Sequence, residues 1–288
     1  MTPVLSGIDH AIVGVRDLEA ARRTYAHLGF VISPRGRHTG WATANYCIMF
    51  PNDYVELLGI VDATQFTNNL DRFLAVREGL MGLAYASDDA AAAAATLRRG
   101  GIAADGPKDL KRTLDLPQGT AQPAFKLTYL PAEVSPAAPS FICQHLSRAL
   151  VWQKPWLAHD NGARGILSVT GVVADPGAAA VAYARLFGPA AVSAGRGGVN
   201  VDVGGAVLRL VTAEGVGRLY PGLAEVPDHP RPWLCGMRLA VEAVTATAAA
   251  FDARGVAYFR DGEQGLRVAP EMACGVVLEF AAGPSLGR

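Results

Sequence analysis

The chain has no excess of charge of either sign, since 26 Lys and Arg residues balance 26 Asp and Glu residues among 288. Such a balance gives no general electrostatic attraction to nucleic acid or to an anionic membrane surface, so we expect neither as a partner. Gly, Pro or charged residues interrupt every apolar run well before the roughly 18 residues of a membrane-spanning helix. With half of its residues hydrophobic, the chain is long and apolar enough for a sizeable folded core.

Cysteine is scarce and scattered. Cys47, Cys143, Cys235 and Cys274 form no CxxC pair, which favours buried thiols in a reducing cytoplasm over a disulfide framework. The first 17 residues have no basic region ahead of an apolar run, so no secretory peptide is expected. We therefore expect a cytoplasmic protein.

Three common catalytic and nucleotide-binding motifs are also missing. The sequence contains no GxSxG, no P-loop and no GxGxxG after a strand, and the glycines at 197 and 198 are typical of a turn. None of these three motifs therefore identifies a catalytic or nucleotide-binding site in this chain.

The two halves of the chain resemble each other. An apolar, β-branched run at 7–15 leads to Asp17, a good helix N-cap, and a helical pattern then ends at Gly29. The run at 167–173 leads to Asp175 in the same way, and Asp17 and Asp175 are 158 residues apart, as are Tyr25 and Tyr183. This spacing indicates an internal repeat.

Each half contains a further copy of the pattern. A strand at 80–86 precedes an N-cap at Asp88 and a helix ending at Gly100, and a strand at 237–244 precedes an N-cap at Thr245 and a helix ending at Gly255. Strand-like runs follow the helices, at 46–50, 54–60, 125–130, 141–146, 199–203, 206–211 and 275–281. The pattern predicts an α+β chain of four strand–helix–strands units, paired into two domains.

An aromatic and polar segment interrupts this pattern between the halves. It predicts a domain at 1–147, a connector at 148–164 and a second domain at 165–288. Trp152, His159 and Asn161 lie in the connector and are candidate substrate-binding residues if it covers a cleft. The alternative is a purely structural connector anchored by Trp152 and Trp156.

The chain resembles the vicinal oxygen chelate superfamily, and within it the glyoxalase-like proteins. The resemblance covers nearly the whole chain and is carried by Gly7-Ile8-Asp9-His10 with Asp17 to Ala21, by Tyr54-Val55-Glu56-Leu57, and by Cys143 to Leu146 through Trp152 to Ala163. It implies two domains built from four βαβββ-type units, each pair forming a half-open curved sheet around a cleft. It also implies a metal in the cleft, with ligands on the first and last strands of each unit.

The resemblance implies a metal site made by His10, Glu56 and His145. The first strand of the second unit offers only Met81 or its neighbours, where a His is usual in the family. Two imidazoles and one carboxylate suit Zn, Mn, Ni, Co or Fe(II), and the sequence does not choose among them. Glu56 could remain a ligand or act as the catalytic base.

The residues themselves give independent reasons for and against this site. A carboxylate in the middle of an apolar strand, such as Glu56, is costly unless it is paired or bound to metal. His10 could equally be a hydrogen-bonded structural histidine, and Glu56 could pair with an Arg. Gln144 and His145 are adjacent on one strand and must face opposite ways. Imidazole binds transition metals more strongly than an amide does, so we expect His145 to face the metal.

The second domain has lost the metal-ligand pattern. The matching positions are Ser168, Arg209, Arg238 and Glu279, a set that favours an Arg–Glu pair. We therefore expect one metal site per chain, in the first domain.

A basic, turn-rich stretch supplies further candidates for binding substrate. Arg35, Arg37, His38 and Trp41 lie in it and could meet an anionic or aromatic compound at a barrel mouth, although a solvated basic loop is an equal alternative. Lys111 and Arg112 fall in a polar segment that gives no clear signal.

The expected function is a metal-dependent glyoxalase-like enzyme of lyase or isomerase type, which chelates adjacent oxygens of a small carbonyl or hydroxyacyl substrate. One alternative is an Fe(II) ring-cleaving dioxygenase, although the ligand order His–Glu–His differs from the His–His–Glu that a resemblance to those enzymes would imply. The other is a non-catalytic protein that binds a metabolite or drug. A homodimer is compatible with the sequence but is not required by it.

Overall fold

The computed structural model describes residues 5–116, 118–221, 229, 232–261 and 265–283. The described α-helices are α1 (Leu18–His27), α2 (Leu70–Val76), α3 (Ala90–Arg99), α4 (Arg148–Val151), α5 (Pro176–Phe187), α6 (Ala213–Leu219) and α7 (Val244–Arg254). None of these helices is long and apolar enough to span a membrane.

The strands form two sheets. The first sheet contains β1 (Ile8–Gly14), β2 (Gly36–His38), β3 (Thr43–Met49), β4 (Tyr54–Ile60), β5 (Gly79–Ala86), β6 (Asp105–Leu116), β7 (Gly119–Ala121), β8 (Ala124–Leu130) and β9 (Ser140–His145). The second contains β10 (Ala163–Val172), β11 (Val192–Gly195), β12 (Gly198–Asp202), β13 (Val207–Val211), β14 (Trp233–Val241), β15 (Phe259–Arg260), β16 (Gly265–Val268) and β17 (Val277–Ala282). The predicted α+β class with two curved sheets is confirmed.

Side-chain caps fix where several helices begin. Asp17 accepts a hydrogen bond from the Ala20 amide, and Asp175 caps α5 in the same way, as predicted. The cap of α3 is Asp89 rather than the predicted Asp88, because the Asp89 carboxylate accepts from two amides of the first turn. The predicted cap at Thr245 is wrong, since α7 already begins at Val244.

The first sheet closes on itself into a barrel. Its strand order is β2-β3-β4-β1-β5-β9-β8-β6, with β7 beside β6, and an additional pairing joins β2 to β6. At this seam Gly36 pairs with Leu114, and His38 pairs with Arg112. The segment at 105–116, expected as a polar loop, is in fact a long strand, and its last third completes the barrel.

The second sheet has the order β11-β12-β13-β10-β14-β17-β16-β15, and among the described residues no pairing joins its two ends. Residues of both sheets contribute to one apolar core. On β1, Ala11 and Val13 belong to this core, while His10 and Ile12 line a cavity inside the barrel. This is the two-sided alternation that the sequence predicts for the first strand.

Candidate active site and metal centre

The barrel encloses a cavity of about 60 Å³. Five of its polar side chains come from strands that follow one another around the barrel, β1, β4, β3, β2 and β6, and we call them the polar arc: His10, Glu56, Asn45, His38 and Arg112. The remaining wall is mainly apolar, and we call it the apolar arc: Leu110, Phe125, Leu127, Tyr129, Phe141 and Cys143. A small ligand in this cavity would meet a polar face and an apolar face.

A β-bulge turns Asp9 toward this site. Ile8 pairs with Tyr85 and His10 with Ala84, so β1 has one extra residue, Asp9, between two consecutive pairs. The Asp9 carboxylate is completely buried, and its Oδ1 lies 2.7 Å from His10 Nδ1 and 2.9 Å from His145 Nε2. Burial alone would raise the pKa of Asp9, but the charge of His145 and the hydrogen bonds from both histidines hold that pKa well below its usual value.

His10 is oriented by contacts on both sides of its ring. Because Nδ1 donates to the Asp9 carboxylate, Nε2 is directed to Glu56, whose Oε2 lies 3.6 Å away. The ring also stacks on Tyr54, with 4.5 Å between centroids. A histidine whose second nitrogen is held by a carboxylate is the usual arrangement of a metal-binding imidazole.

Glu56 presents its two oxygens to different partners. Oε2 faces His10, while Oε1 accepts a hydrogen bond from the Asn45 amide and lies 3.8 Å from His38 Nε2. Burial raises the pKa of Glu56, but His10, His38, Asn45 and Arg112 together lower it below its usual value. The carboxylate is therefore ionised although it is buried.

His38 stays neutral beside this carboxylate. Burial lowers the pKa of His38 to about 4, although the charge of Glu56 opposes the shift. Its Nδ1 lies 2.8 Å from the Thr43 hydroxyl, which leaves Nε2 toward Glu56. His38 was predicted only as part of the basic stretch, either at a barrel mouth or in a solvated loop, and its approach to Glu56 was not expected.

Gln144 and His145 face opposite sides of β9. The Gln144 amide donates to the Asp88 carbonyl and accepts from the Ala90 amide, so it holds the start of α3 on the outer side of the barrel. His145 lies on the other face, where Asp9 binds its Nε2, and its Nδ1 is buried without a hydrogen-bond partner. His145 thus reaches the site through Asp9, and its role as a third metal ligand stays a prediction.

The donor atoms suit a divalent transition metal in two overlapping ways. On the cavity side, His10 Nε2 and the Glu56 carboxylate face each other beside open space. Behind His10, donor atoms of Asp9, His10 and Cys143 all lie within 4.8 Å of one another. Imidazole, carboxylate and thiolate are all common ligands of such metals.

The second unit of the barrel contributes no equivalent ligands. The position that corresponds to His10 is occupied by Gly82, which pairs with Ile12 as His10 pairs with Ala84. The position that corresponds to Glu56 is occupied by Phe141, which pairs with Ala84 as Glu56 pairs with Ile12. Met81, expected near this position, is the extra residue of a second bulge and lines a different cavity, between the sheets.

Of the four residues named on the basic stretch, the structure brings His38 and Trp41 to the cavity, while Arg35 is exposed. Trp41 lies against His38 and makes an edge contact with Phe66 at the cavity mouth. Arg37 faces outward, with its side chain 54% exposed and 3.8 Å from the Asp62 carboxylate. Its neighbours Gly36 and His38 are buried, so alternation along β2 directs Arg37 to solvent.

The three connector candidates hold the connector against the barrel. Trp152 donates to the Phe50 carbonyl and packs on His145 and Tyr54, one layer behind the cavity wall. His159 accepts from the Val31 amide and donates to the Met49 carbonyl. Asn161 is fully buried and bonds the Leu28 carbonyl and the Ala163 amide. These contacts favour the structural alternative, and substrate binding by the three stays untested.

Arg112 and Asn45 were missed because both lie on strands that sequence patterns describe poorly. Arg112 is on a strand rich in charged residues, and Asn45 lies on β3, which begins at Thr43 and not at the predicted Tyr46. Asp9 carried a visible signal, since a carboxylate next to a histidine in an apolar strand must find a partner.

The second sheet contains the predicted Arg–Glu group. Glu279 is buried and accepts hydrogen bonds from Arg238 and from Arg209, whose Nη1 lies 3.1 Å from Oε2. Ser168 occupies the position of His10, again beside a bulge, at Leu167. The prediction that this half replaces the donor set with an ion pair is confirmed.

Comparisons with known proteins agree with this architecture. A family model described as "Glyoxalase-like domain" matches residues 8–187. No curated protein matches the sequence significantly. Among solved structures, a hypothetical protein from Staphylococcus aureus is similar over 96% of this chain and 99% of its own, with 12% identity and a TM-score of 0.69.

A mutant of 4-hydroxymandelate synthase from Streptomyces coelicolor is also similar, over 97% of this chain and 94% of its own, with 14% identity and a TM-score of 0.59. At these identities the two structures establish a common fold, while the family model also confirms the glyoxalase-like resemblance predicted from the sequence.

Proposed function

We propose a function from the premise that the chain belongs to the glyoxalase-like domain family, whose model covers residues 8–187. In this proposal the chain is a metal-dependent enzyme of lyase or isomerase type. It acts on a small carbonyl or hydroxyacyl compound inside the barrel of the first sheet. The observation that carries the proposal is the buried series Asp9–His10–Glu56, which places an oriented imidazole and an ionised carboxylate at the wall of a cavity.

His10 Nε2 and Glu56 would hold the divalent metal from the polar side of the cavity, with His145 as the predicted third ligand. Zn, Mn, Ni, Co and Fe(II) all accept such donors. When bound, the metal would supply Lewis-acid polarisation of two adjacent substrate oxygens. The positive charge would also compensate the two buried carboxylates, Asp9 and Glu56.

The chain's own residues would position the substrate and move the proton. Asp9 keeps His10 Nδ1 protonated and so keeps Nε2 available. Glu56 is the candidate base, because it is ionised, borders the cavity and has a neutral His38 beside one oxygen. The apolar arc and Trp41 would exclude water from the reacting atoms.

The location in the cell is part of the same proposal. The described residues include all four cysteines, and no disulfide joins any of them. This agrees with a reducing, cytoplasmic environment.

Metal content tests the proposal directly. The purified chain is treated with a chelator, incubated separately with Zn²⁺, Mn²⁺, Co²⁺, Ni²⁺ and Fe²⁺, and analysed by elemental mass spectrometry. We expect one ion per chain, and a loss of at least about 100-fold in affinity for His10→Ala and Glu56→Gln, because each removes a direct ligand.

Matched controls are His27→Ala and Glu214→Gln, since both residues are exposed on helices. The proposal fails if His10→Ala and Glu56→Gln keep the affinity of the unaltered chain. A strong preference for iron would favour the dioxygenase alternative, and a chain that binds a metabolite but no metal would favour the binding protein.

A further inference from the structure

Arg112 is a buried cation at the end of the polar arc. Its residue is only 3% exposed, although a guanidinium is always charged and costly to remove from water. It enters the cavity from β6, beside its strand partner His38. Lys111, the preceding residue on the same strand, is exposed. The strand thus places one of two neighbouring cations inside the barrel.

Arg112 forms no close ion pair among the described residues, and the Glu56 carboxylate acts on it only from a longer distance. Its Nη1 lies 3.3 Å from the Cys47 sulfur, and burial raises the pKa of that thiol, so the sulfur is neutral. Its Nε is buried without a hydrogen-bond partner, and no described carboxylate oxygen lies within ion-pair distance of the guanidinium. Glu56 uses its oxygens on His10, His38 and Asn45 instead. Buried guanidinium groups are normally paired, so this one lacks the partner that its position requires.

The backbone makes room for this arrangement. A Cβ at Gly36 would lie 2.2 Å from Asn45 Oδ1 and 3.3 Å from Arg112 Nη1. The absence of a side chain at Gly36 therefore lets Asn45 and Arg112 approach each other at the seam of the barrel. The Asn45 Oδ1 atom is also buried without a partner. Two unsatisfied polar groups thus lie at one end of the cavity.

We propose that Arg112 binds the carboxylate of a small, partly apolar organic acid, and that this class of compound is the substrate of the cavity. The guanidinium offers two parallel N–H groups, which match the two oxygens of a carboxylate. The apolar arc would take the carbon skeleton, and the far end of the ligand would reach His10 and Glu56.

The size of the cavity limits the acid. A buried water occupies about 10–15 Å³ of such volume, so 60 Å³ holds about four to six atoms of that size. Because two of these atoms are the carboxylate oxygens, acids of about two to four carbons fit without rearrangement of the barrel. Only the placement of the reacting end at His10 and Glu56 rests on the proposed function, because the Arg112 subsite does not involve a metal.

Calorimetric titration of the metal-free chain with propanoate and with propanamide tests the inference. The two probes have the same shape and differ in charge. We expect saturable binding of propanoate, at least about 30-fold weaker binding of propanamide, and a similar loss of propanoate affinity in Arg112→Met, because truncation removes a buried ion pair. Arg112→Lys keeps the charge without the planar fork, so its affinity should be intermediate.

Lys111→Met is the matched control, because it removes a cation from the same strand on the solvent side, and it should bind propanoate normally. Arg112→Lys decides the question if Arg112→Met does not fold. The inference is overturned if propanoate does not bind, if propanamide binds equally well, or if neither Arg112 variant loses affinity. Because no metal is present, these outcomes are independent of the metal titrations that test the proposed function.

Discussion

The two sheets use the same backbone positions for different purposes. Where β1 and β4 place His10 and Glu56, β10 and β13 place Ser168 and Arg209. Glu279, on β17, accepts hydrogen bonds from two arginines and so has its charge compensated within the chain. In the barrel of the first sheet, the His10 imidazole and the Glu56 carboxylate instead border an open cavity.

The space in front of these residues differs as well. In the second sheet the Tyr220 hydroxyl lies 2.7 Å from the Thr170 hydroxyl, at the position of Ile12, and a Cβ at Gly236 would lie 2.6 Å from the same Tyr220 oxygen. Tyr220 therefore fills the region that corresponds to the cavity of the barrel. The second sheet thus compensates the charge of Glu279 and fills the region in front of it, which suits stability, whereas the barrel leaves open space beside His10 and Glu56.

The largest expected effect on stability comes from Glu279. Glu279→Gln leaves Arg209 and Arg238 facing each other without an anion, and we expect a loss of about 3 kcal/mol in the free energy of unfolding, the lower end for a broken buried pair because both guanidiniums are partly exposed. Metal content should not change. Urea denaturation of the metal-free protein measures the loss.

Glu56→Gln is the matched variant in the barrel. Its close neighbours are two histidines and an amide, whereas those of Glu279 are two arginines, which are always charged, so we expect less than half of the destabilisation seen for Glu279→Gln. Equal losses in the two variants would mean that both carboxylates are structural, and the contrast between the halves would disappear.

The faces of β9 give a second comparison. If His145 is the third ligand, His145→Ala weakens metal binding by more than about 100-fold, beyond the range of an outer-sphere partner. Gln144→Ala should leave metal affinity unchanged and cost about 1 kcal/mol of stability, because it removes two hydrogen bonds at the start of α3. A metal affinity that depends on Gln144 rather than His145 would contradict the placement of these side chains.

Substitutions at the equivalent bulge residues Asp9 and Leu167 compare the role of this position in the two halves. Asp9→Asn keeps the shape but not the charge that orients His10, so we expect metal affinity to fall by about 10- to 100-fold. Leu167→Asn, at the equivalent bulge of the second sheet, should have no effect on metal. Unchanged affinity in Asp9→Asn would show that the carboxylate only fills space. Isothermal titration with the preferred ion measures both variants.

The smallest effect concerns the connector between the halves. Burial lowers the pKa of His159, so in the pH range just below about 6.5 the unfolded chain binds a proton that the folded chain does not. Stability therefore falls as the pH falls through this range, and His159→Gln should reduce that slope. Denaturation midpoints at pH 7.5, 6.5 and 5.5 measure it, and an identical slope in the variant would contradict the assignment.

Local patterns in the sequence were sufficient for much of the fold. The repeat, the caps at Asp17 and Asp175 and the strand at 54–60 depend on neighbouring residues, and the structure has them as predicted. The family resemblance brought His10 and Glu56 together, and the structure places them on neighbouring parallel strands, with Glu56 opposite Ile12.

Features that depend on distant pairing could not be predicted. The strand at 105–116 has a polar sequence, and it is a strand because β8 and β2 pair with it. The inward positions of His38 and Arg112 follow from that pairing. Asp9 reaches His10 and His145 only because a bulge shifts the alternation, and no periodic pattern records an extra residue.

The bulges also bear on how such a protein could acquire new activities. The extra residue recurs at related places in the two sheets, at Asp9 and Leu167, and again at Met81 and Cys235. An ancestral backbone with this irregularity would have offered the same additional position in every duplicated unit. A new acid, ligand or packing residue could then arise by a single substitution, with no insertion, deletion or change of strand register. The duplicated fold therefore contains additional residue positions at which reactive side chains could arise, and in this protein Asp9 occupies one of them.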